Sequence, residues 1–91
     1  MTSSVSREIK IANRLGLHAR PAAMVVKAAA PFEAEIFLIK DGTRINAKSI
    51  MGVMMLAAEF GSTLEVWAEG SDAEQAVEAV AQVFASKFGE E

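Results

Sequence analysis

Apolar and polar residues alternate along three stretches of the chain, and this alternation predicts strands. In VSREIKIAN, Ile9 and Ile11 fall on one face and the charged residues beside them on the other, which is the period of a half-buried strand. AEIFLIKDGTRINA and TLEVWAE alternate in the same way. Within AEIFLIKDGTRINA the dipeptide Asp41-Gly42 suits a type I′ turn, which predicts that this segment forms a hairpin. The inward positions of these later strands are Ala34, Ile36, Leu38, Ile45, Ala47, Leu64, Val66 and Ala68.

The first segment with helical spacing follows the first strand. One apolar face is formed by Ala22, Val25, Val26 and Ala29. Pro21 suits a first helical turn, where its missing N–H costs nothing, so the helix is expected to begin at about Ala19 or Arg20. It is expected to end before Pro31.

Two further helices are predicted later in the chain. Ser49 precedes IMGVMMLAAEF and is predicted to be the N-cap of the second helix, which Gly61 ends. The inward residues of that helix are predicted to be Val53, Leu56 and Ala57. The third, SDAEQAVEAVAQVFASKFG, opens with a predicted capping box from Ser71 to Glu74 and ends at Gly89. Its inward residues are predicted to be Ala73, Ala76, Val77, Val80, Phe84 and Phe88.

The predicted order is βαββαβα, which indicates an α+β architecture with two layers. We expect a four-stranded antiparallel sheet with three helices on one face. Residues 1–91 are expected to form a single domain, with residues 1–4 as a loose N-terminal tail. Phe37, Ile39 and Trp67 are out of phase with the inward positions, so the pattern places them on the uncovered face or at its edges.

Composition narrows the classes of function. The 91 residues contain no cysteine, which excludes a disulfide framework, a thiol nucleophile and a cysteine-based zinc site. A net charge of −3 disfavours a general nucleic-acid binder, which needs a basic face for phosphate contacts. We find no signal peptide pattern and no apolar run long enough to span a membrane, so we expect a cytoplasmic protein without membrane insertion.

The segment GLHARPAA holds the single histidine of the chain immediately before the predicted first helix. The backbone N–H groups of Ala19 and Arg20, at the positive end of the helix dipole, form a site for an anion such as phosphate. A neutral imidazole at His18 has a ring nitrogen with a lone pair that can attack phosphorus. The guanidinium of Arg20 can offset charge on a phosphoryl group. The alternative is that His18 is a solvated or capping side chain.

Ser49 and the residues after it form a second candidate site. A serine at this position can act purely as an N-cap. A phosphate there would suit the helix terminus and would change the charge of the surrounding surface. The second helix is apolar nearly all round, so Ile50, Met51 and one or more of Met54 and Met55 cannot all point inward, and Met24 lies outside the apolar face of the first helix. These residues either fill the core or form an exposed apolar patch beside His18.

GLHARPAA, followed by KSIMGVM, resembles the HPr family of histidine-containing phosphocarriers of the bacterial sugar phosphotransferase system. The resemblance spans nearly the whole chain and implies an open-faced β-sandwich. It implies that His18 accepts a phosphoryl group on Nδ1 from enzyme I, which phosphoenolpyruvate charges, and passes it to an enzyme IIA. Arg20 matches the arginine that assists transfer. No cofactor and no metal are implied, and the chain would be a carrier rather than an enzyme.

The same resemblance implies a regulatory site and a partner surface. Ser49 matches a serine that an HPr kinase/phosphorylase modifies in many bacteria, which in some creates a signal for a transcriptional regulator. The residues expected at the partner surface are Met24, Lys27, Lys48, Ile50 and Met51. We expect a monomer. Two alternatives are a nitrogen-related carrier and a mainly regulatory module whose Ser49 phosphorylation switches its partner. A small hydrolytic enzyme finds no support, because no catalytic motif accompanies His18.

Overall fold

The computed structural model describes residues 3–90, and the order of its elements is the predicted one. The strands are β1 (Ser4–Lys10), β2 (Glu35–Lys40), β3 (Thr43–Asn46) and β4 (Thr63–Glu69). The helices are α1 (Ala19–Ala29), α2 (Ile50–Met55) and α3 (Ala73–Ala85), and a single 3-10 turn follows at Lys87–Gly89. The strands form one antiparallel sheet in the order β1-β4-β2-β3.

The two faces of the sheet differ as the alternation predicts. One face packs against the helices, and its central strands bury Ile36, Leu38, Leu64, Val66 and Ala68. The other face carries the out-of-phase residues, each half-buried. There the rings of Phe37 and Trp67 lie 5.7 Å apart, and the guanidinium of Arg44 lies 4.4 Å from the centre of the Phe37 ring. The aromatic residues therefore shield one another and a cationic side chain covers Phe37.

The hairpin turn and the start of α1 are as predicted. Asp41 and Gly42 have φ values of 50° and 82°, the positive φ at both central residues that a type I′ turn requires.

The prediction of a loose N-terminal tail over residues 1–4 is wrong for Ser3 and Ser4. Ser4 already pairs with β4, and the carbonyl of Ser3 accepts a hydrogen bond of 2.9 Å from Gly70. Residues 1 and 2 lie outside the described part of the chain.

The second helix is shorter than the sequence pattern predicts. Ser49 is its N-cap, as expected, but α2 ends at Met55 rather than near Gly61. Ala57 has φ of 50° and is exposed, so its assignment to the inward face is wrong. The neighbours on either side, Leu56 and Ala58, are buried. Residues two apart lie on opposite sides of a helix, so the chain leaves the helical conformation at Ala57 to bury both neighbours.

The start and end of α3 also correct the prediction. Asp72, not Ser71, is the N-cap, and the carboxylate of Asp72 accepts hydrogen bonds of 2.9 Å from the N–H groups of Glu33 and Ala34. The capping box is therefore absent, because this carboxylate joins α3 to the segment before β2 instead. At the other end, Phe88 is buried but lies beyond the helix, with φ of 57°.

Replacing Ala57 by glycine tests the left-handed backbone at the end of α2. Glycine adopts positive φ without the clash that a Cβ creates, so we expect Ala57→Gly to raise the free energy of unfolding by about 1 kcal/mol, measured by urea denaturation. The matched control is Ala30→Gly, at the exposed end of α1 with φ of −57°, which should lower it by up to about 1 kcal/mol. A loss of stability in both variants would contradict the assignment.

Candidate active site

The loop between β1 and α1 is held against the loop that follows α2. The N–H of Leu17 donates to the carbonyl of Ala58 at 2.9 Å. Ile11 donates to Ser62 and accepts from Gly61, both at 2.9 Å. The two loops are thus joined by backbone hydrogen bonds at both ends, which fixes the point where α1 begins.

Gly16 allows the two loops to approach this closely. Its φ is 70°, and a Cβ added there would lie 2.6 Å from the carbonyl oxygen of Ala58 and 3.0 Å from Cα of Glu59. Both the conformation and the space therefore require glycine. The carbonyl of Gly16 then accepts the N–H of His18 at 3.0 Å.

His18 is the N-cap of α1, with extended backbone (φ −82°, ψ −172°). Its carbonyl accepts the N–H of Ala22 at 3.0 Å, but its side chain makes no capping hydrogen bond to the helix. The N–H groups of Ala19 and Arg20 come before the first intrahelical donor and have no partner within the helix. The imidazole thus lies at the positive end of α1, beside donors that an anion can use.

A carboxylate from the far end of the chain reaches this point. Oε1 of Glu90 lies 3.0 Å from Nε2 of His18, and Oε2 lies 3.4 Å from a guanidinium nitrogen of Arg20. The Glu90 side chain is only 15% exposed, whereas that of His18 is 36% and that of Arg20 is 64% exposed. Glu90 is therefore the more enclosed of the two partners, and its contact with Arg20 is longer than its contact with His18.

Asn13 anchors the carboxylate. Its amide Nδ2 donates to Oε1 of Glu90 at 2.8 Å and to the carbonyl of Gly16 at 2.9 Å. Asn13 is fully buried, and its Oδ1 has no hydrogen-bond partner within residues 3–90. The opposite orientation of the amide would place Oδ1 against two oxygen acceptors, so the observed orientation follows from the groups around it.

These contacts keep Glu90 ionised. The hydrogen bond with His18, that with Asn13 and the charges of His18 and Arg20 lower the pKa of Glu90, against a smaller opposing effect of burial. A carboxyl with a depressed pKa stabilises the fold above its unfolded-state pKa, and that contribution is lost as the pH falls through its folded-state pKa. Glu90 is thus a carboxylate at neutral pH.

Ser49 lies where the sequence places it, at the start of α2. Its Oγ accepts the N–H of Gly52 at 3.0 Å, and its carbonyl accepts that of Val53 at 2.9 Å. The side chain is half-buried. The structural role of this serine is therefore confirmed, and its modification remains a prediction.

The surplus apolar residues lie on the surface rather than in the core. Ile50, Met51, Met54 and Met55 are all exposed, and Met24 is half-buried and packs against the edge of the core. Because α2 packs against α1, these side chains lie on the same side of the sheet as His18. We call Met24 together with the four residues of α2 the methionine patch.

The two lysines expected at the partner surface belong to the end of α1 and to the segment before α2. Lys27 lies in the last turn of α1, about 13 Å along the helix axis from His18. The ammonium group of Lys48 donates to the carbonyl of Phe32 at 2.6 Å, which directs it to the segment after α1. Arg20 is the one predicted cation that the described residues bring to His18.

Sequence reasoning missed four residues near this site. Asn13 and Glu90 contact the histidine region but belong to no pattern, since Glu90 lies 72 positions from His18 along the chain. Leu15 and Phe60 are exposed apolar residues on the two joined loops. The predicted second helix ran through Phe60, so its exposure in a loop was not expected. The position of Leu15 directly before Gly16 is a signal that could have indicated an exposed loop residue.

The chain between Ser3 and Glu90 offers neither a metal site nor a membrane-spanning helix. No group of three or more histidine, cysteine or carboxylate side chains that could hold a metal ion occurs there. None of the helices in that range combines the length and apolar character needed to cross a membrane.

Gly16→Ala tests the close approach of the loops. We expect it to lower the free energy of unfolding by at least about 3 kcal/mol, because it adds a steric clash to an unfavourable φ. The matched control is Gly42→Ala, which has a similar φ of 82° but no atom within 4 Å of the added Cβ, and it should cost about 1 kcal/mol. Equal losses, measured by urea denaturation, would show that the loops do not meet as described.

Comparison with known proteins places this site in a family. A family model described as "PTS HPr component phosphorylation site" matches residues 5–86. Phosphocarrier protein HPr of Treponema pallidum (strain Nichols) is 49% identical over 87 residues, covering 96% of this chain and 99% of that protein. The HPr-like protein Crh of Halalkalibacterium halodurans is 47% identical over 76 residues, covering 84% and 90% respectively.

A solved structure gives the same result. The crystal structure of HPr-C-His from Thermoanaerobacter tengcongensis superposes with a TM-score of 0.91 at 46% identity, covering 96% of this chain and 98% of that one. The open-faced sandwich implied by the sequence is therefore confirmed. Because the family match, the relatives and the fold agree over nearly the whole chain, the chain belongs to the HPr family of phosphocarrier proteins of the phosphotransferase system.

Proposed function

We propose that this chain receives a phosphoryl group on Nδ1 of His18 from enzyme I and passes it to an enzyme IIA. The observation that carries the proposal is the placement of His18 at the start of α1, where its ring contacts Glu90 through Nε2 and makes no capping bond to the helix. One ring nitrogen is thereby engaged within the protein. The other is available to a partner.

The surroundings of Nδ1 suit a phosphoryl group in transfer. Phosphoryl transfer passes through a loose transition state whose charge is spread over the equatorial oxygens, so positioning and electrostatic stabilisation supply most of the catalysis. The N–H groups of Ala19 and Arg20 and the dipole of α1 supply fixed positive potential. The guanidinium of Arg20 is 64% exposed and 3.4 Å from Glu90, so it can exchange this contact for a pair with the phosphoryl oxygens.

The methionine patch is the surface through which partners would reach the histidine. Methionine side chains adapt to differently shaped partners, and a carrier must bind two of them in turn without holding either tightly. We therefore propose a small interface with an apolar centre. In this proposal the protein is a monomeric cytoplasmic carrier rather than an enzyme, and it needs no cofactor. A nitrogen-related carrier would use the same chemistry with a different acceptor.

Phosphate uptake from phosphoenolpyruvate and enzyme I of the same source tests the proposal. We expect an acid-labile, alkali-stable label that is lost in His18→Ala, because that variant removes the only imidazole. Arg20→Met should slow uptake by roughly 10- to 100-fold, since a donor to the transferring oxygens is lost. Label and rate would be followed by radiolabelled phosphoenolpyruvate and rapid quenching.

Arg44→Met is the matched control for the loss of a guanidinium, since Arg44 lies over Phe37 on the uncovered sheet face. It should take up phosphate at the rate of the unmodified chain, and circular dichroism should show that all three variants are folded. Persistent acid-labile label in His18→Ala, or equal slowing in both arginine variants, would contradict the proposed roles.

A second function, regulation through Ser49, is favoured by the position of that side chain. Ser49 caps α2 next to exposed Ile50 and Met51. A phosphate on Oγ would suit the helix start and would bring about two negative charges to the edge of the methionine patch. Binding there would then require a charged group to be desolvated, which is unfavourable for an apolar partner surface. We propose that an HPr kinase/phosphorylase modifies this serine and that the modified form favours a transcriptional regulator.

Ser49→Asp and Ser49→Asn separate the charge from the cap. Both residues are good N-caps, so both variants should keep the stability of the protein, but the charged one should take up phosphate from enzyme I about tenfold more slowly than the neutral one, a difference of about 1.4 kcal/mol. The rates would be compared by the uptake assay at subsaturating enzyme I. Equal rates would contradict regulation by charge at this position.

A further inference from the structure

The contact between Glu90 and His18 bears on which ring nitrogen of the imidazole carries the proton. Oε1 accepts from Asn13 at 2.8 Å and lies 3.0 Å from Nε2 of His18. A carboxylate offers acceptors only, so the contact to Nε2 is a hydrogen bond only when Nε2 bears the proton. In a neutral imidazole with a proton on Nε2, the lone pair is on Nδ1.

We propose that Glu90 is a positioning residue, which holds the ring of His18 in the Nε2–H tautomer and so presents the Nδ1 lone pair to the phosphoryl donor. The inference rests on the proposed function for its consequence in transfer. The tautomer itself is a property of the unphosphorylated protein.

The transfer step gives the carboxylate a second effect. The Nδ1 lone pair forms the bond to phosphorus, the bond between phosphorus and the donor atom of enzyme I breaks, and its electron pair leaves with the donor. Nε2 keeps its proton, so the phosphorylated ring is an imidazolium. The negative charge of Glu90, beside that proton, offsets the positive charge that develops on the ring.

The segment that carries Glu90 is built to hold it there. Phe88 is fully buried and packs edge-on against Phe84 with ring centres 5.0 Å apart. Lys87 and Phe88 have φ of 55° and 57°, which turns the chain back after α3, and the N–H of Glu90 donates to the carbonyl of Lys87 at 2.9 Å. A buried aromatic anchor and two left-handed residues thus bring a single carboxylate back to the start of α1.

Asn13 provides independent support for a positioning role. It is fully buried, and it leaves Oδ1 without a partner among the described residues while Nδ2 bridges Gly16 and Glu90. A buried acceptor without a donor is unfavourable, and such groups are uncommon in native proteins. The unpaired Oδ1 is explained if the site requires the two hydrogen bonds by which Nδ2 joins the loop before α1 to Glu90.

The tautomer can be measured directly by long-range ¹H–¹⁵N NMR on protein labelled at histidine, at a pH where the ring is neutral. We expect Nε2–H to dominate in the unmodified chain and the tautomer ratio to fall about tenfold in Glu90→Ala, the size expected for a hydrogen bond to a charged acceptor. Glu90→Gln keeps an acceptor oxygen without the charge and should give an intermediate ratio. Glu78→Ala, which removes an exposed partner of Arg7, is the matched control and should leave the ratio unchanged.

Phosphate uptake by the same variants separates the two proposals. Glu90→Ala should lower the maximal rate about tenfold at saturating enzyme I without a matching rise in KM, because the residue acts on the ring rather than on the partner. An unchanged tautomer ratio in Glu90→Ala, or Nδ1–H dominating in the unmodified chain, would overturn the positioning role. An Nε2–H tautomer in a chain that never accepts phosphate would support the tautomer assignment and would count against the proposed function alone.

Discussion

The close contact between two loops is the constraint on which the site depends. Leu17 donates to the carbonyl of Ala58, and Gly16 approaches that carbonyl where no side chain would fit. This contact determines where α1 starts, and it therefore places His18 at the positive end of a helix. It also explains why α2 ends early: the chain after α2 must turn, through a left-handed Ala57, to present Ala58 to the histidine loop.

The second constraint is the return of the chain after α3. The buried ring of Phe88 and the backbone turn at Lys87 and Phe88 bring Glu90 to the ring of His18, where Asn13 holds it. The site is thus assembled from the beginning and the end of the described chain. In the proposed function the helix N–H groups and Arg20 contact the phosphoryl group, while Glu90 contacts Nε2 of the ring.

Much of this arrangement could be predicted from the sequence because it depends on local chemistry. Alternation located the strands, Asp41-Gly42 the hairpin, Pro21 the start of α1 and Ser49 the cap of α2. The end of α2, the cap of α3 and the place of Glu90 could not be predicted in this way. Each depends on contacts between distant segments, where burial of Leu56 and Ala58, the bonds from Asp72 to the segment before β2, or the anchoring of Phe88 overrides the local pattern.

The central claim is that the imidazole uses its two nitrogens for different tasks, Nε2 for the protein and Nδ1 for the phosphoryl group. The most direct measurement is ¹⁵N and ³¹P NMR of the histidine-labelled protein after phosphorylation, which identifies the nitrogen bonded to phosphorus. The account predicts phosphorus on Nδ1 with a proton retained on Nε2. Phosphorus on Nε2 would contradict it, because that product requires the contact between His18 and Glu90 to be broken.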